Sequence, residues 1–265
     1  MSGTIQAERR GSQAVVTLSH TGKFNAMSRA MWRELREVFL ALRSDDTLRC
    51  IVLRGEGGHF CAGGDISEYA AFRFSEAGLR DFHESDVWGG LQAVLDCDVP
   101  VVAQIEGNCM GAGVEIACCC DIRVAAESAR FGAPIGRLGF PMAPREAALV
   151  LREAGALTAR EMLLEAGVLT AAQMQARGFL QRVVPPAQIG DEIAASVARI
   201  QALAPEAARM NKQALRVLQS GASQDSALVS LLARAYAYAD SAEHREGIGA
   251  FLAKRPASFS VSSTS

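Results

Sequence analysis

The sequence contains no Cys-x-x-Cys pair, no His-Glu-x-x-His run and no apolar stretch of the roughly 20 residues that a membrane span requires. Each absence removes a class of function. The four histidines, His20, His59, His83 and His244, show no ligand spacing, so a metal enzyme is not expected. The cysteines (Cys50, Cys61, Cys97, Cys109, Cys118, Cys119 and Cys120) are odd in number, in a chain too large to need disulfide staples. They read as buried thiols in a reducing compartment. The run Cys118-Cys119-Cys120 does not alter this, because adjacent side chains on a helix diverge and do not converge on one ion. A net positive charge is also lacking. A formal net charge of -2 and a pI near 6.1 argue against nucleic acid or an anionic membrane as partner. The opening segment, MSGTIQAERRGSQ, lacks the apolar core of a signal peptide, and a cytoplasmic location is expected.

What is present is a compact composition: 265 residues, 49% hydrophobic and 21% charged, enough for one large domain or a core with a small appendage. Ala14 to Leu18 reads as a strand, and Ser28 as the N-cap of a helix that buries Trp32, Leu35, Phe39 and Leu42. Cys50 to Leu53 is a second short strand running into a glycine-rich loop from Arg54 to Asp65. Val99 to Ile105 is a third strand. It leads through Gly107 to a helix expected from about Met110 to Cys120, and Ile122 to Ala126 reads as a strand again. From Pro144 onward helical patterns dominate, as in Arg145 to Ala154 and Ala159 to Ala166, with a brief strand near Arg182 to Val184. The chain divides near residue 200 into an α/β part, 1–200, and a helical region, 201–265, holding the helices Ala207 to Leu218 and Ser226 to Ala239. Helices that pack on one another at a chain end often serve assembly. Ser258 to Ser265 reads as frayed.

Two glycine-rich turns, Gly63-Gly64 and Gly111-Ala112-Gly113, each follow an apolar strand, and each is expected to precede a helix. Free N–H groups at two helix starts, aimed at one point, would stabilise an oxyanion of thioester size. Taken singly, either turn is a plain strand-to-helix connection. Glu115 sits within Gly113-Val114-Glu115-Ile116-Ala117-Cys118, and a carboxylate so flanked is costly to bury unless it is hydrogen-bonded or does chemistry. Its plainer role is a first-turn acid that complements the helix dipole.

The residues Phe24-Asn25-Ala26-Met27-Ser28, Phe60-Cys61-Ala62-Gly63-Gly64-Asp65-Ile66, Val102 to Gly107, Gly111 to Glu115, Cys120 to Ala125, Phe131-Gly132-Ala133-Pro134 and Glu246 to Arg255, in this order, resemble the enoyl-CoA hydratase/isomerase (crotonase) superfamily. The resemblance covers nearly the whole chain. It implies a crotonase-like ββα spiral core with a helical C-terminal region that builds homotrimers or homohexamers, and an acyl-CoA thioester substrate with no separate cofactor. It implies that the backbone N–H groups of Gly64 and Ala112 form the oxyanion hole, and that Glu115 is the catalytic acid/base. Contact with coenzyme A is implied for Phe24, Ala26, Ala62, Asp65, Ile66, Lys254 and Phe259. Alanine at 112, in place of the more usual glycine, is harmless to a contact made by backbone.

One departure bears on the reaction. Typical hydratases carry a second glutamate after the Phe-Gly-x-Pro segment, and here that position is Ile135. Hydration needs a base toward water and an acid toward the α carbon, and Glu115 in turn would have to be both. Asp65, Glu146, Arg137 and Arg145 are the candidate substitutes for the missing glutamate, but each reads as a surface or structural charge. The acyl group is left open, since its pocket walls come from loops such as Glu68 to Phe82. Three other readings compete: an isomerase or other reaction of the same superfamily, a silent acyl-CoA-binding relative, and a short-chain dehydrogenase. The last draws on Gly107-x-x-x-Gly111-x-Gly113. That turn lies too far along the chain for a dinucleotide fold. No tyrosine has a lysine four residues on, since Tyr69 is followed by Arg73, Tyr236 by Asp240 and Tyr238 by Ala242.

Overall fold

The computed structural model describes residues 2–219 and 226–259. Among these, the strands are β1 (Thr4–Arg10), β2 (Gln13–Ser19), β3 (Cys50–Gly55), β4 (Val101–Ile105), β5 (Asn108–Met110), β6 (Ile122–Ala126), β7 (Arg130–Gly132), β8 (Val168–Thr170) and β9 (Arg182–Val184). The α-helices are α1 (Arg29–Arg43), α2 (Glu76–Asp81), α3 (Trp88–Leu95), α4 (Ala112–Cys118), α5 (Pro144–Ala154), α6 (Ala156–Leu164), α7 (Ala171–Ala176), α8 (Ile189–Gln201), α9 (Pro205–Gln219), α10 (Ser226–Arg234) and α11 (Ala242–Leu252).

Six strands form one sheet in the order β1-β2-β3-β4-β6-β9, parallel apart from the antiparallel β1–β2 hairpin. A sheet covered on both faces needs apolar residues at successive positions, and β2 to β4 supply them. Val15, Val52, Val102 and Val124 point to one side, where α8 covers them with Ile189, Ile193, Val197 and Ile200. Their neighbours Val16, Leu18, Ile51, Leu53, Ala103 and Ile105 point to the other side, into the main core. There α1 buries Met31, Trp32, Leu35 and Phe39, and its N-cap Ser28 accepts from the Met31 N–H. β5, β7 and β8 make a second, three-stranded sheet. The result is the mixed α/β fold with a helical C-terminal region that the sequence pointed to.

Several elements differ from expectation. The polar N-terminal segment forms the edge strand β1, whose charged Glu8, Arg9 and Arg10 are exposed. An edge strand needs little apolar surface, so periodicity gave no sign of it. β5, β7 and β8 span three residues each, too few for a pattern. The helix expected over 110–120 is confined to Ala112–Cys118, and the one expected to reach Ala239 ends at Arg234 before a 3₁₀ turn, Ala237–Asp240. The frayed tail falls mostly on residues 260–265, outside the described residues. All seven cysteines are free and buried. No helix among the described residues is long and apolar enough to cross a membrane.

Candidate functional site

β3 and β4 each end in a glycine-rich segment, and the two segments run side by side. Phe60 N–H donates to Glu106 O (2.8 Å), Cys61 N–H to Asn108 O (2.8 Å) and Met110 N–H to Cys61 O (2.9 Å). Gly113 permits the contact, since a Cβ there would lie 2.6 Å from Cys61 O. On its other edge the first segment pairs with Met27, whose N–H donates to Gly63 O and whose O accepts from Asp65 N–H, both at 2.8 Å. Backbone groups alternate in direction along an extended chain. Bonding Gly63 O and Asp65 N–H to Met27 therefore turns the Gly64 N–H the opposite way, and it has no partner among the described residues. This corrects the expectation that Gly64 precedes a helix. Asp65 instead caps a 3₁₀ turn, Ile66–Ala71, and the donor is freed by strand alternation.

Ala112 is the first residue of α4, so its N–H has no acceptor within the helix and none elsewhere among the described residues. Gly111 before it has φ 48°, a turn that an L side chain strains to adopt. Glu115 follows Ala112 by three residues and lies on the same face of α4. Gly64, Ala112 and Glu115 border one cavity of about 340 Å³. The Glu115 carboxyl makes no hydrogen bond among the described residues, and the area it leaves open faces this cavity. Enclosure by protein pushes this carboxyl up to about 8; the Glu146 charge adds to the rise, and Arg73 offsets part of it. A neutral carboxyl at rest beside two free N–H donors can exchange a proton with whatever carbonyl compound fills the cavity.

Ile135 lies on the wall of the same cavity. Glu146, expected as a surface or structural charge, is 2% exposed in the first turn of α5, with its Oε1 3.0 Å from His83 Nδ1. His83 Nε2 lies 3.2 Å from an Arg73 guanidinium nitrogen. The Arg73 guanidinium carbon lies over the rings of both Tyr69 (4.2 Å) and Phe140 (3.8 Å), whose planes are inclined at 70° to each other. Tyr69 also sets the backbone at 64, because a Cβ there would lie 2.1 Å from its hydroxyl oxygen. Sequence reasoning missed Tyr69, Arg73 and His83 as site residues. The one available signal was the four-residue spacing of Tyr69 and Arg73, which was weighed only as a failed dehydrogenase pair.

Of the coenzyme set, Ala62 and Ile66 border the cavity, and Ile66 is 55% exposed. Phe24 and Ala26 lie close by: Ala62 N–H donates to Phe24 O at 3.0 Å, and the Phe24 ring stands 4.6 Å from that of His59. Asp65 is buried. Burial pushes its carboxyl up, but hydrogen bonds from Lys23 and Ser67 outweigh this and hold it below the usual range. Asp65 thus serves the loop's own structure, as a plain reading expected. Lys254 and Phe259 are not brought to this cavity. Lys254 is exposed just past α11, and Phe259 borders a second cavity among the C-terminal helices.

Residues 8–262 match the family described as enoyl-CoA hydratase/isomerase. A probable enoyl-CoA hydratase of Mycobacterium tuberculosis is 31% identical over 258 residues, covering 97% of each chain. The 2,3-dehydroadipyl-CoA hydratase of Escherichia coli is 33% identical over 253 residues, covering 92% of this chain and 94% of its own. Among solved structures, an enoyl-CoA hydratase/carnithine racemase from Magnetospirillum magneticum superposes with a TM-score of 0.93 at 35% identity, covering 98% of this chain and 97% of that one.

Proposed function

Since the chain belongs to the enoyl-CoA hydratase/isomerase family, we propose that it adds water across the double bond of an α,β-unsaturated acyl-CoA thioester. The observation that carries this reading is the convergence of two unpartnered N–H donors and one unpartnered carboxyl on a single cavity. The Gly64 and Ala112 N–H groups hold the thioester oxygen. Ionised Glu115 takes a proton from water as its oxygen bonds to Cβ, and the electron pair of the double bond moves toward the thioester oxygen. The Glu115 carboxyl then returns that proton to Cα, giving the 3-hydroxyacyl thioester and the starting carboxylate. Nothing is oxidised or reduced, so the step calls for no cofactor beyond the coenzyme A carried by the substrate. Ala62, Asp65 and Ile66 supply backbone contacts for the adenine, with Phe24 and Ala26 flanking it. Lys254 and Phe259, remote from their own cavity, would meet the coenzyme of a neighbouring subunit. Residues 201–265 form the assembly region of a homotrimer or homohexamer, in which α9 to α11 cover exposed Leu215, Leu218, Leu232 and Phe251. A native mass of one chain would rule this out. The free, buried thiols fit a cytoplasmic setting.

The reading is tested by following loss of the conjugated-thioester absorbance over a panel of enoyl-CoA esters. Glu115→Gln should lower turnover by about 10²-fold or more, with little change in affinity for the coenzyme A product. A two-fold effect would remove Glu115 from the mechanism and favour a silent relative. Because Ile135 leaves the attacking water only one carboxyl, isomerisation of a β,γ-unsaturated thioester is the second reading. The same panel tests it through a gain of absorbance.

A further inference from the structure

The acyl-CoA reading of the cavity leaves one of its charges without a purpose. Arg73 lines the wall along with Glu115, yet no carboxylate lies within ion-pair distance of its guanidinium among the described residues. Its hydrogen-bonding partner is the His83 ring. A guanidinium only donates, so His83 Nε2 accepts from it, and the ring proton sits on Nδ1, shared with Glu146. The Glu146 charge is thus held on the far side of a neutral imidazole and does not reach Arg73 directly. Arg73 Nε is buried with no partner. The Tyr69 and Phe140 rings flank the guanidinium at 70° to each other, and burial depresses its affinity for its proton. Arg73 and Glu115 attract each other across the cavity, but no ion pair joins them among the described residues.

A half-buried cation without an ion-pair partner among the described residues is a costly thing to place on the wall of a pocket that also offers Trp32, Phe82, Val87 and Met142. Arg73 lines the cavity with a guanidinium bonded through one terminal nitrogen to His83, and a carboxylate is the anion that a guanidinium hydrogen-bonds most strongly. We propose that Arg73 receives a carboxylate carried by the acyl group, so that the substrate is the monothioester of an unsaturated dicarboxylic acid. This rests on the thioester reading above: the carbonyl end sits at Gly64 and Ala112, apolar walls enclose the methylenes, and Arg73 takes the far end. A neutral acyl chain of equal length would leave the cation unpaired, which builds discrimination into the pocket.

The test uses saturated thioesters, which the proposed reaction does not consume. Binding of glutaryl-, adipyl- and suberyl-CoA to the full-length protein is measured by calorimetry against valeryl-, hexanoyl- and octanoyl-CoA. At one or more of the three lengths the diacid thioester should bind at least 10-fold tighter than its neutral match. Arg73→Gln should abolish that preference while leaving the neutral thioester within about two-fold. Arg73→Lys should keep part of it, which guards against a fold defect in the first variant. Equal or tighter binding of the neutral partner at all three lengths overturns the inference, as does a preference that survives Arg73→Gln. If enoyl-CoA esters are turned over while the diacid preference is absent, the hydratase reading stands and the role of Arg73 falls. If no acyl-CoA of either kind binds, both fall together.

Discussion

Helix α4 has a stacked guanidinium at each end, and the two are treated in opposite ways. At the C-terminal end, Arg123 is 6% exposed and lies over the Phe179 ring at 4.7 Å. It donates to the carbonyls of Phe179 (2.7 Å), Cys120 (2.9 Å) and Ala117 (3.3 Å), and it faces Glu153 at 3.5 Å. A cation among the last carbonyls of a helix complements the dipole, and nearly every donor is answered. At the cavity end Arg73 also lies over aromatic rings, but among the described residues it bonds to His83, with Tyr69 also favouring its charge, and has no ion pair. The same side chain thus closes the structure in one place and leaves it short of a partner in the other. Saturation, more than burial, separates the cation that holds the fold from the one that awaits a ligand.

The contrast can be broken by substitution. Arg123→Met should cost about 3–5 kcal/mol by denaturant unfolding, because three carbonyls and Glu153 lose their donor. At the other end, Glu115→Gln should stabilise the protein, and the gain should depend on pH. The Glu115 carboxyl is raised from an ordinary 4.5 to about 8, so between those values the folded chain holds a proton that the unfolded chain has released. Stability of the parent then falls as pH rises through that window, and the variant escapes the fall. Its advantage should grow by about 3 kcal/mol between pH 5 and pH 7.5, as read from paired urea melts. Activity runs the other way. In the proposed mechanism the ionised carboxyl is the working form, so kcat/KM of the parent should climb with pH and level off above about 8. Gly64→Ala should cost roughly 1–3 kcal/mol by pressing on the Tyr69 hydroxyl, and Tyr69→Phe in the same chain should recover most of it. The smallest effect is assigned to Arg73→Met, which should leave stability within about 1 kcal/mol, since the lost ring contacts are offset by relief of an unpaired charge. A cost near that of Arg123→Met would erase the distinction between the two ends.

Much of the catalytic end was legible because it is local in the chain. Ala112 and Glu115 are three residues apart on one helix, so a pattern that finds the helix also finds their common face. Ile135 was legible as an absence, read against the family's second glutamate. The free N–H of Gly64 was expected from a helix start, but it is freed by a single rung of pairing with Met27, a contact between residues far apart in sequence. The stretch carrying Tyr69, Arg73 and His83 passes through a 3₁₀ turn, the short α2 and a π turn, Phe82–Val87. No period marks such a path, so what faces the cavity from it was hidden. Which of the two plain roles Glu146 has, surface or structural charge, was not legible, because an acid in the first turn after a proline ordinarily faces water. Here the partner that makes burial tolerable, His83, comes from 63 residues away.

The enclosure of Glu115 also means that an empty site near neutral pH is mostly in its neutral form, and filling it with a ligand that expels the remaining water drives the carboxyl further that way. Near pH 8 each occupancy event should therefore draw a fraction of a proton from the surrounding buffer. The heat of binding a saturated thioester should differ between phosphate and Tris by that fraction of their difference in ionisation enthalpy, making the carboxyl a built-in reporter of when the pocket is full.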